Sequence, residues 1–362
     1  MNLLFSLLAS SHKTYLLQSF SALDYYFRTP LADDIHILTD ALLVDLAGMF
    51  ETLEFHGLPQ YDVVIPFHEK KLLFQIVDSF DVVPPKYFPV QHLLYDFTGN
   101  IFYDKTGIYP ELNKPILCDT APASRSWHKT ADEAVLVSRY HYVCLNRDAS
   151  RPEASRMLSA IEQQHLLVSL MTSQKPQKGL TLLLDSGFID THWPELSAMN
   201  AVQQTKDYHP EGNVWEHVCE ALNHRKQPNL LLSLAILLHD LGKTAASGSK
   251  NKPYENHSSS GSILARNFLQ RLLFPAPFIN DVMFLVQHHM MPEALPEMPF
   301  YRISSLLSSP LFPVLLELYR ADLLATFQGP DKYYTACQVY KTYCKTQKNP
   351  YRELRKNKRI VL

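Results

Sequence analysis

The chain has 362 residues, 46% of them hydrophobic, with 34 Lys and Arg against 36 Asp and Glu. This length admits two or three domains with separate cores, and the near-neutral balance excludes binding a polyanion by bulk charge alone. The longest apolar run, Leu230–Leu238, falls far short of the ~20 residues that a membrane span needs. No membrane association is therefore expected.

The first apolar stretch, Leu3–Ala9, lacks a basic flank and is predicted as a first helix, not a signal peptide. Thr14–Leu17 and Ile35–Leu38 read as short strands. Asp40–Leu53 has helical spacing, with Leu42, Leu43, Leu46 and Phe50 on one side. Val63–Pro66, Leu72–Val77 and Val90–Tyr95 read as further strands, which makes a small α/β or α+β domain. Cys118–Arg125, close to Pro115 and containing Pro122, reads as a linker. Helical spacing follows in Asp132–Cys144, Arg151–Met171, Pro176–Asp185, Val214–Asn223, Pro228–Leu241, Ser262–Leu273, Phe278–Gln287 and Phe312–Phe327. Lys341–Leu362 carries eight Lys or Arg against Glu353 alone. Such a tail suits a phosphate backbone or a solvated helix end equally well. Cys118, Cys144, Cys219, Cys337 and Cys344 form no CxxC pair, which points to reduced thiols in a cytoplasmic protein.

Seven of the 16 histidines lie between His209 and His289. Three words stand out: His217 early in one helix, His239-Asp240 closing the next, and His288-His289 closing a third. His257 precedes a helix, and Asp322 sits deep in an apolar one, where an unpaired charge is costly. A lone histidine on an apolar helix is usually a satisfied core residue, and Asp322 alone could pair with Arg320 or Arg302. The joint set is the donor chemistry of a divalent metal without thiolates. His217, His239, Asp240 and Asp322 would hold one ion, and Asp240, His257 and His288 a second. Two such ions activate a bridging water for phosphoryl displacement. Asp240 and Lys243 are the candidate catalytic residues, with Lys243 meeting the phosphate. Gly242 is expected in the left-handed position that ends helices.

In order and in local words the chain resembles the HD-domain metal-dependent phosphohydrolases, through LLHDLGK (Leu237–Lys243). It resembles still more the bacterial CCA-adding enzymes, the tRNA nucleotidyltransferase and poly(A) polymerase family. That likeness rests on WPEL (Trp193–Leu196), HPEGNVWEHV (His209–Val218), NHSSSG (Asn256–Gly261), VQHHMMP (Val286–Pro292) and YRADL (Tyr319–Leu323), and covers about residues 175–325. The metal set it implies is His217, His239, Asp240, His257, His288, His289 and Asp322. The ions would be Mn, Fe, Ni, Co, Zn or Mg, one or two in number. The family's head cradles a triphosphate on a Gly-Gly turn and holds two magnesium ions on an Asp-x-Asp pair. Here Gln18, Ser19 and Phe20 occupy the turn, Asp24 and Asp34 survive, and His36 replaces the second carboxylate.

The resemblance thus implies a multidomain protein: a degenerate nucleotidyltransferase-like α/β head (1–118), an all-α neck (119–195), an all-α HD domain (196–340) and a basic tail (341–362). The expected function is a metal-dependent phosphohydrolase acting on nucleotides or RNA 3′ ends such as 2′,3′-cyclic phosphates, with nucleotidyl transfer lost from the head. The partner is a nucleotide or RNA, tRNA among them. The alternatives are tRNA nucleotidyltransferase activity and non-catalytic RNA binding.

Overall fold

The computed structural model describes residues 2–55, 57–81, 84–117, 126–140, 142–144, 156–204, 212–245, 254, 256–326 and 329–346. The chain forms two compact units, Met1–Ser173 with Thr181–Phe188, and Gln174–Leu180 with Ile189–Leu362. The first is an α/β body and the second is helical. No helix among the described residues is long and apolar enough to cross a membrane.

The first unit holds α1 (Asn2–Ala9), β1 (Tyr15–Gln18), α2 (Ser19–Tyr26), β2 (Asp34–Thr39), α3 (Leu43–Met49), β3 (Val63–Phe67), β4 (Lys70–Ile76), β5 (Leu94–Asp96), β6 (Ile101–Tyr103), α4 (Tyr109–Leu112), β7 (Ile116–Leu117), α5 (Trp127–Arg139), β8 (Val143–Cys144) and α6 (Ala160–Met171). Six strands form one sheet in the order β3-β4-β2-β1-β5-β6. Only the β2–β4 pairing within it is parallel. Side chains alternate faces along a strand. Tyr15, Leu17, Ile35, Ile37, Leu72 and Phe74 therefore enter the main core with Leu136, Val137 and Tyr140 of the α5 region. Leu16, Leu38 and Leu73 belong to small clusters apart from that core. Asp34 and His36 share the parity of Leu38, and this places them on the second face of β2.

The two units share α7 (Pro176–Asp185), divided after Leu180, and α8 (Phe188–His192), divided after Phe188. They are followed by α9 (Pro194–Asn200), α10 (Val214–Asn223), α11 (Leu230–Leu238), a 3₁₀ turn (Leu241–Thr244), α12 (His257–Arg271), α13 (Ala276–His288), α14 (Met291–Ala294), α15 (Phe300–Leu307), α16 (Phe312–Leu324) and α17 (Asp331–Thr346). Leu234–Leu238 are fully buried, as expected of a helix that is apolar all round. The α11 helix packs on α10, α13 and α16, and α12 packs on α13 and the 3₁₀ turn. Asn213 and Asn229 start α10 and α11 by accepting from the amides of Glu216 (2.8 Å) and Leu232 (2.9 Å).

Several boundaries differ from the sequence expectation. The helix expected over Asp40–Leu53 is confined to α3. Val90–Tyr95 divides into a 3₁₀ turn at Pro89–His92 and β5. The α5 helix starts at the Ser126 cap and ends at Arg139, before β8. The α6 helix starts only at the Ser159 cap. The linker residues 118–125, the tail beyond 346 and Cys118 lie outside the described residues, as does the side chain of Cys144. Cys219, Cys337 and Cys344 are free thiols.

Candidate functional site

The second unit brings most of the His/Asp set together. His217 comes from α10, His239 and Asp240 from the end of α11, His257 from the start of α12, His289 from the end of α13, and Asp322 from α16. His217 Nε2 is 2.9 Å from Asp322 Oδ1 and 3.9 Å from Asp240 Oδ2. His239 Nε2 is 3.4 Å from Asp240 Oδ2 and 3.7 Å from Asp322 Oδ1. The other carboxylate oxygen, Asp240 Oδ1, lies 3.5 Å from His257 Nε2 and 3.9 Å from His289 Nε2. Two groups result, His217/His239/Asp240 and Asp240/His257/His289, each with ligand atoms within 4.8 Å of one another. Asp240 bridges them.

Backbone contacts fix the imidazoles. Nδ1 of His239, His257 and His289 bonds the carbonyl three residues earlier, at 2.8, 2.8 and 2.7 Å. A carbonyl only accepts, so each Nδ1 carries a hydrogen, and Nε2 is the ring nitrogen turned towards Asp240. His257 Nε2 and His289 Nε2 then face each other at 3.1 Å, an arrangement that a cation between them relieves. Among the described residues, the buried His239 Nε2 has no hydrogen-bond partner within bonding geometry. Burial opposes charge on His239, but Asp240 and Asp322 outweigh it and push its pKa up to about 10. Burial pushes His289 down to about 4.

Three expectations are corrected. His288 is not in the cluster: it is half-buried, with its ring against Phe284, because neighbouring helical residues diverge by about 100°. His289 takes its place. Lys243 Nζ is held by Asp240 Oδ2 at 2.6 Å and Gln204 Oε1 at 2.7 Å, so in this state it is a counter-ion to Asp240. Gly242 is not in the left-handed region. It is needed for close approach, since a Cβ there would lie 1.9 Å from the His257 carbonyl oxygen and 2.6 Å from Gly261 N.

The first unit has its own cavity, of about 110 Å³. Its wall includes Asp34, His36, Tyr61, Asp132, Glu162 and His165, together with Ser19 and Phe20. His165 Nδ1 bonds Asp34 Oδ2. His36 Nδ1 bonds the Tyr61 hydroxyl, and burial drives the His36 pKa down to about 3, so the ring stays neutral. Glu162 is taken by His128 at 3.0 Å and Arg156 at 2.5 Å, and Asp132 accepts from Gln91 at 2.9 Å. Sequence reasoning missed His165, Glu162, Tyr61 and Asp132. For the α6 residues a signal existed: Glu162, His165, Leu166 and Ser169 recur at helical spacing and share one face. With no glycine in the first turn, Ser19 itself adopts the left-handed φ of 50°. Asp24 is not a cavity residue. It is fully buried against Arg139 and Tyr140.

Burial pushes the Asp132 pKa up to about 6 from 3.8. The folded-state value lies above the unfolded one, so the stability contributed by the neutral acid is complete below about pH 4 and is lost as pH rises through 6. Asp132→Asn, neutral at every pH, should therefore raise stability by roughly 1–2 kcal/mol at pH 7, allowing for solvent access. It should change nothing near pH 4. Urea denaturation at both pH values measures the difference.

No family model matches the chain. A multifunctional CCA protein of Herminiimonas arsenicoxydans is 34% identical over 114 residues, which is 31% of this chain and 27% of that protein. A CC-adding tRNA nucleotidyltransferase of Thermus thermophilus is 30% identical over 210 residues, 56% of this chain and 46% of that protein. The matched stretches thus span between about a quarter and a half of these relatives. The fold is shared with the Bacillus stearothermophilus CCA-adding enzyme solved with CTP, at TM-score 0.51 and 15% identity, over 94% of this chain and 80% of that one. A tRNA-processing enzyme in an apo form gives TM-score 0.51 at 11% identity, over 94% of this chain and 88% of that one. The chain is homologous to CCA-adding enzymes and has their layout, an α/β head followed by a largely helical remainder. These findings correct the main functional expectation. The relatives are named for CCA or CC addition, which contradicts the phosphohydrolase with a disabled head as the main reading and favours the nucleotidyltransferase alternative.

Proposed function

We propose that the chain is an RNA nucleotidyltransferase that adds nucleotides from CTP or ATP to the 3′ end of a tRNA. The observation that carries this is Asp34 at the wall of the head cavity, next to a glycine-free turn that still takes a left-handed backbone at Ser19. Ser19 and Phe20 open α2 and line the same cavity. The positive end of that helix suits a phosphate. Asp34 supplies the carboxylate that such transfer requires at the reacting phosphoryl group. A divalent ion bound there would lower the pKa of the attacking hydroxyl and neutralise phosphate charge. The relatives' names support the substrate, a tRNA end, and the first solved neighbour was captured with CTP.

The test is incorporation of labelled CTP and ATP into tRNA lacking its terminal residues. Wild-type protein should extend the RNA, and Asp34→Asn should lower the rate by at least about 100-fold. Equal incorporation by the two proteins, or none by the wild type with any divalent ion, would sink the proposal.

In the second unit, His217, His239, Asp240 and Asp322 would hold one divalent ion, and Asp240, His257 and His289 a second. The donor set fits: among the described residues the buried His239 Nε2 has no hydrogen-bond partner, and the Nε2 atoms of His257 and His289 face each other. Metal here would neutralise two carboxylates and tie α10, α11, α12, α13 and α16 together. Free ion at 100 times its Kd adds about 2.7 kcal/mol. Chelation should accordingly lower the melting temperature by roughly 5–10 °C, and calorimetry with and without chelator reads the change.

A further inference from the structure

We infer that the outward face of α17 is a binding surface for the phosphate backbone of RNA, centred on Tyr334, Gln338, Lys341 and Lys345. None of these residues belongs to the head cavity or to the His/Asp cluster. The inference rests on the proposed function only for the RNA being a tRNA. Residues three and four apart share a face of a helix, and these four follow one another at intervals of four, three and four. All four are exposed, Tyr334 at 58%. The opposite face of α17 packs inward. Ala336 and Tyr343 are buried, the Tyr343 hydroxyl donates to the Ser304 carbonyl at 3.2 Å, and Tyr340 meets Phe312 of α16 with ring centroids 4.7 Å apart.

Charge decides what this face meets. Lys332, at the start of α17, is paired with Glu293 at 2.6 Å. Lys341 and Lys345 have no ion-pair partner among the described residues, and α17 carries no acid after Asp331. In the sequence the same spacing goes on through Lys348, Arg352, Arg355 and Arg359, with Glu353 as the one acid after Asp331. Uncompensated cations repeating along one line fit a polyanion whose charges also repeat, and each phosphate they neutralise releases counter-ions. The amide of Gln338 and the hydroxyl of Tyr334 suit phosphate and sugar oxygens, which amide and phenol side chains commonly contact. An anionic bilayer is the poorer fit. A helix lying on a membrane inserts an apolar face, and the apolar side of α17 is already covered by Phe300 of α15 and Phe312 of α16.

The experiment is fluorescence anisotropy of labelled tRNA titrated with the full chain at several KCl concentrations. The double variant Lys341→Gln/Lys345→Gln should bind roughly 10–30-fold more weakly near 0.15 M salt, and its slope of log affinity against log salt should be shallower by about 2. Replacing Lys348, Arg352, Arg355 and Arg359 by Gln as well should flatten the slope by about 3–4 more. The exposed lysines at the start of α7 serve as the control, and Lys175→Gln/Lys178→Gln should match wild type. Wild-type affinity and slope in the Lys341/Lys345 variant overturns the inference, as does an equal loss in the control. Binding to phosphatidylserine vesicles with none to tRNA overturns it too. A wild-type chain that binds tRNA through this face but extends none refutes the proposed function and leaves the surface standing. A chain that extends tRNA while the Lys341/Lys345 variant binds it as wild type does refutes only the surface.

Discussion

Asp24→Ala should destabilise the first unit by about 3–5 kcal/mol, the cost of stranding one member of a buried ion pair. Asp24 is fully buried. Its carboxylate accepts from Arg139 Nε at 2.5 Å and Arg139 Nη2 at 2.7 Å. It also accepts from the Tyr140 hydroxyl at 2.7 Å, the Thr29 hydroxyl at 3.0 Å and the Ala32 amide at 3.0 Å. Removing it leaves a guanidinium with 7% exposure that keeps, among the described residues, the Pro30 carbonyl at 2.6 Å as its acceptor. Replacing both charges, as in Asp24→Leu with Arg139→Met, should recover most of the loss, because apolar side chains of similar size need no solvation. Urea denaturation of the two single variants and the double variant measures the coupling. A single variant as stable as wild type would contradict the assignment of Asp24 as a structural residue.

The second large effect is expected from Gly242→Ala. The added carbon would meet backbone at 1.9 and 2.6 Å, and backbone cannot rotate away as a side chain can. Either the 3₁₀ turn or α12 must move. Overpacking ordinarily costs about 1–3 kcal/mol, and two backbone clashes place this case at or beyond the top of that range. The displacement also carries His257 away from Asp240, 3.5 Å from it in the native state. Thermal unfolding should shift down, and Co²⁺ uptake by the second unit should weaken with it. An unchanged melting temperature would mean that the turn has slack which the native contacts do not reveal.

The β1, β2, β3 and β4 strands were legible because short apolar runs with β-branched residues mark half-buried strands. The α2 helix was not. It begins at the residue after β1 with no turn residue between, and SFSALDYY has no apolar stripe to announce it. In the second unit the words HD and HH identified the right neighbourhood, because each ends a helix with an apolar face. The choice between His288 and His289 was not legible, since it depends on where α13 stops and on the carbonyl of Val286. The head cavity was hidden for another reason. Tyr61, Asp132 and His165 come from a loop and two helices far apart in sequence, and none belongs to a word. Asp24 illustrates the opposite error: a surviving acid at a family position need not face the cavity, and here Arg139 has claimed it.

The pairing of Asp24 with Arg139 joins residues 115 positions apart, and this has a consequence for synthesis. A nascent chain that has released only the strands up to β6 holds an acid with no cation to meet it and lacks the Leu136, Val137 and Tyr140 part of the core. Closing so long a loop is entropically slow, and its reward arrives only when α5 emerges. The α/β body should therefore stay protease-sensitive on the ribosome until about 140 residues have cleared the exit tunnel, then become resistant in one step.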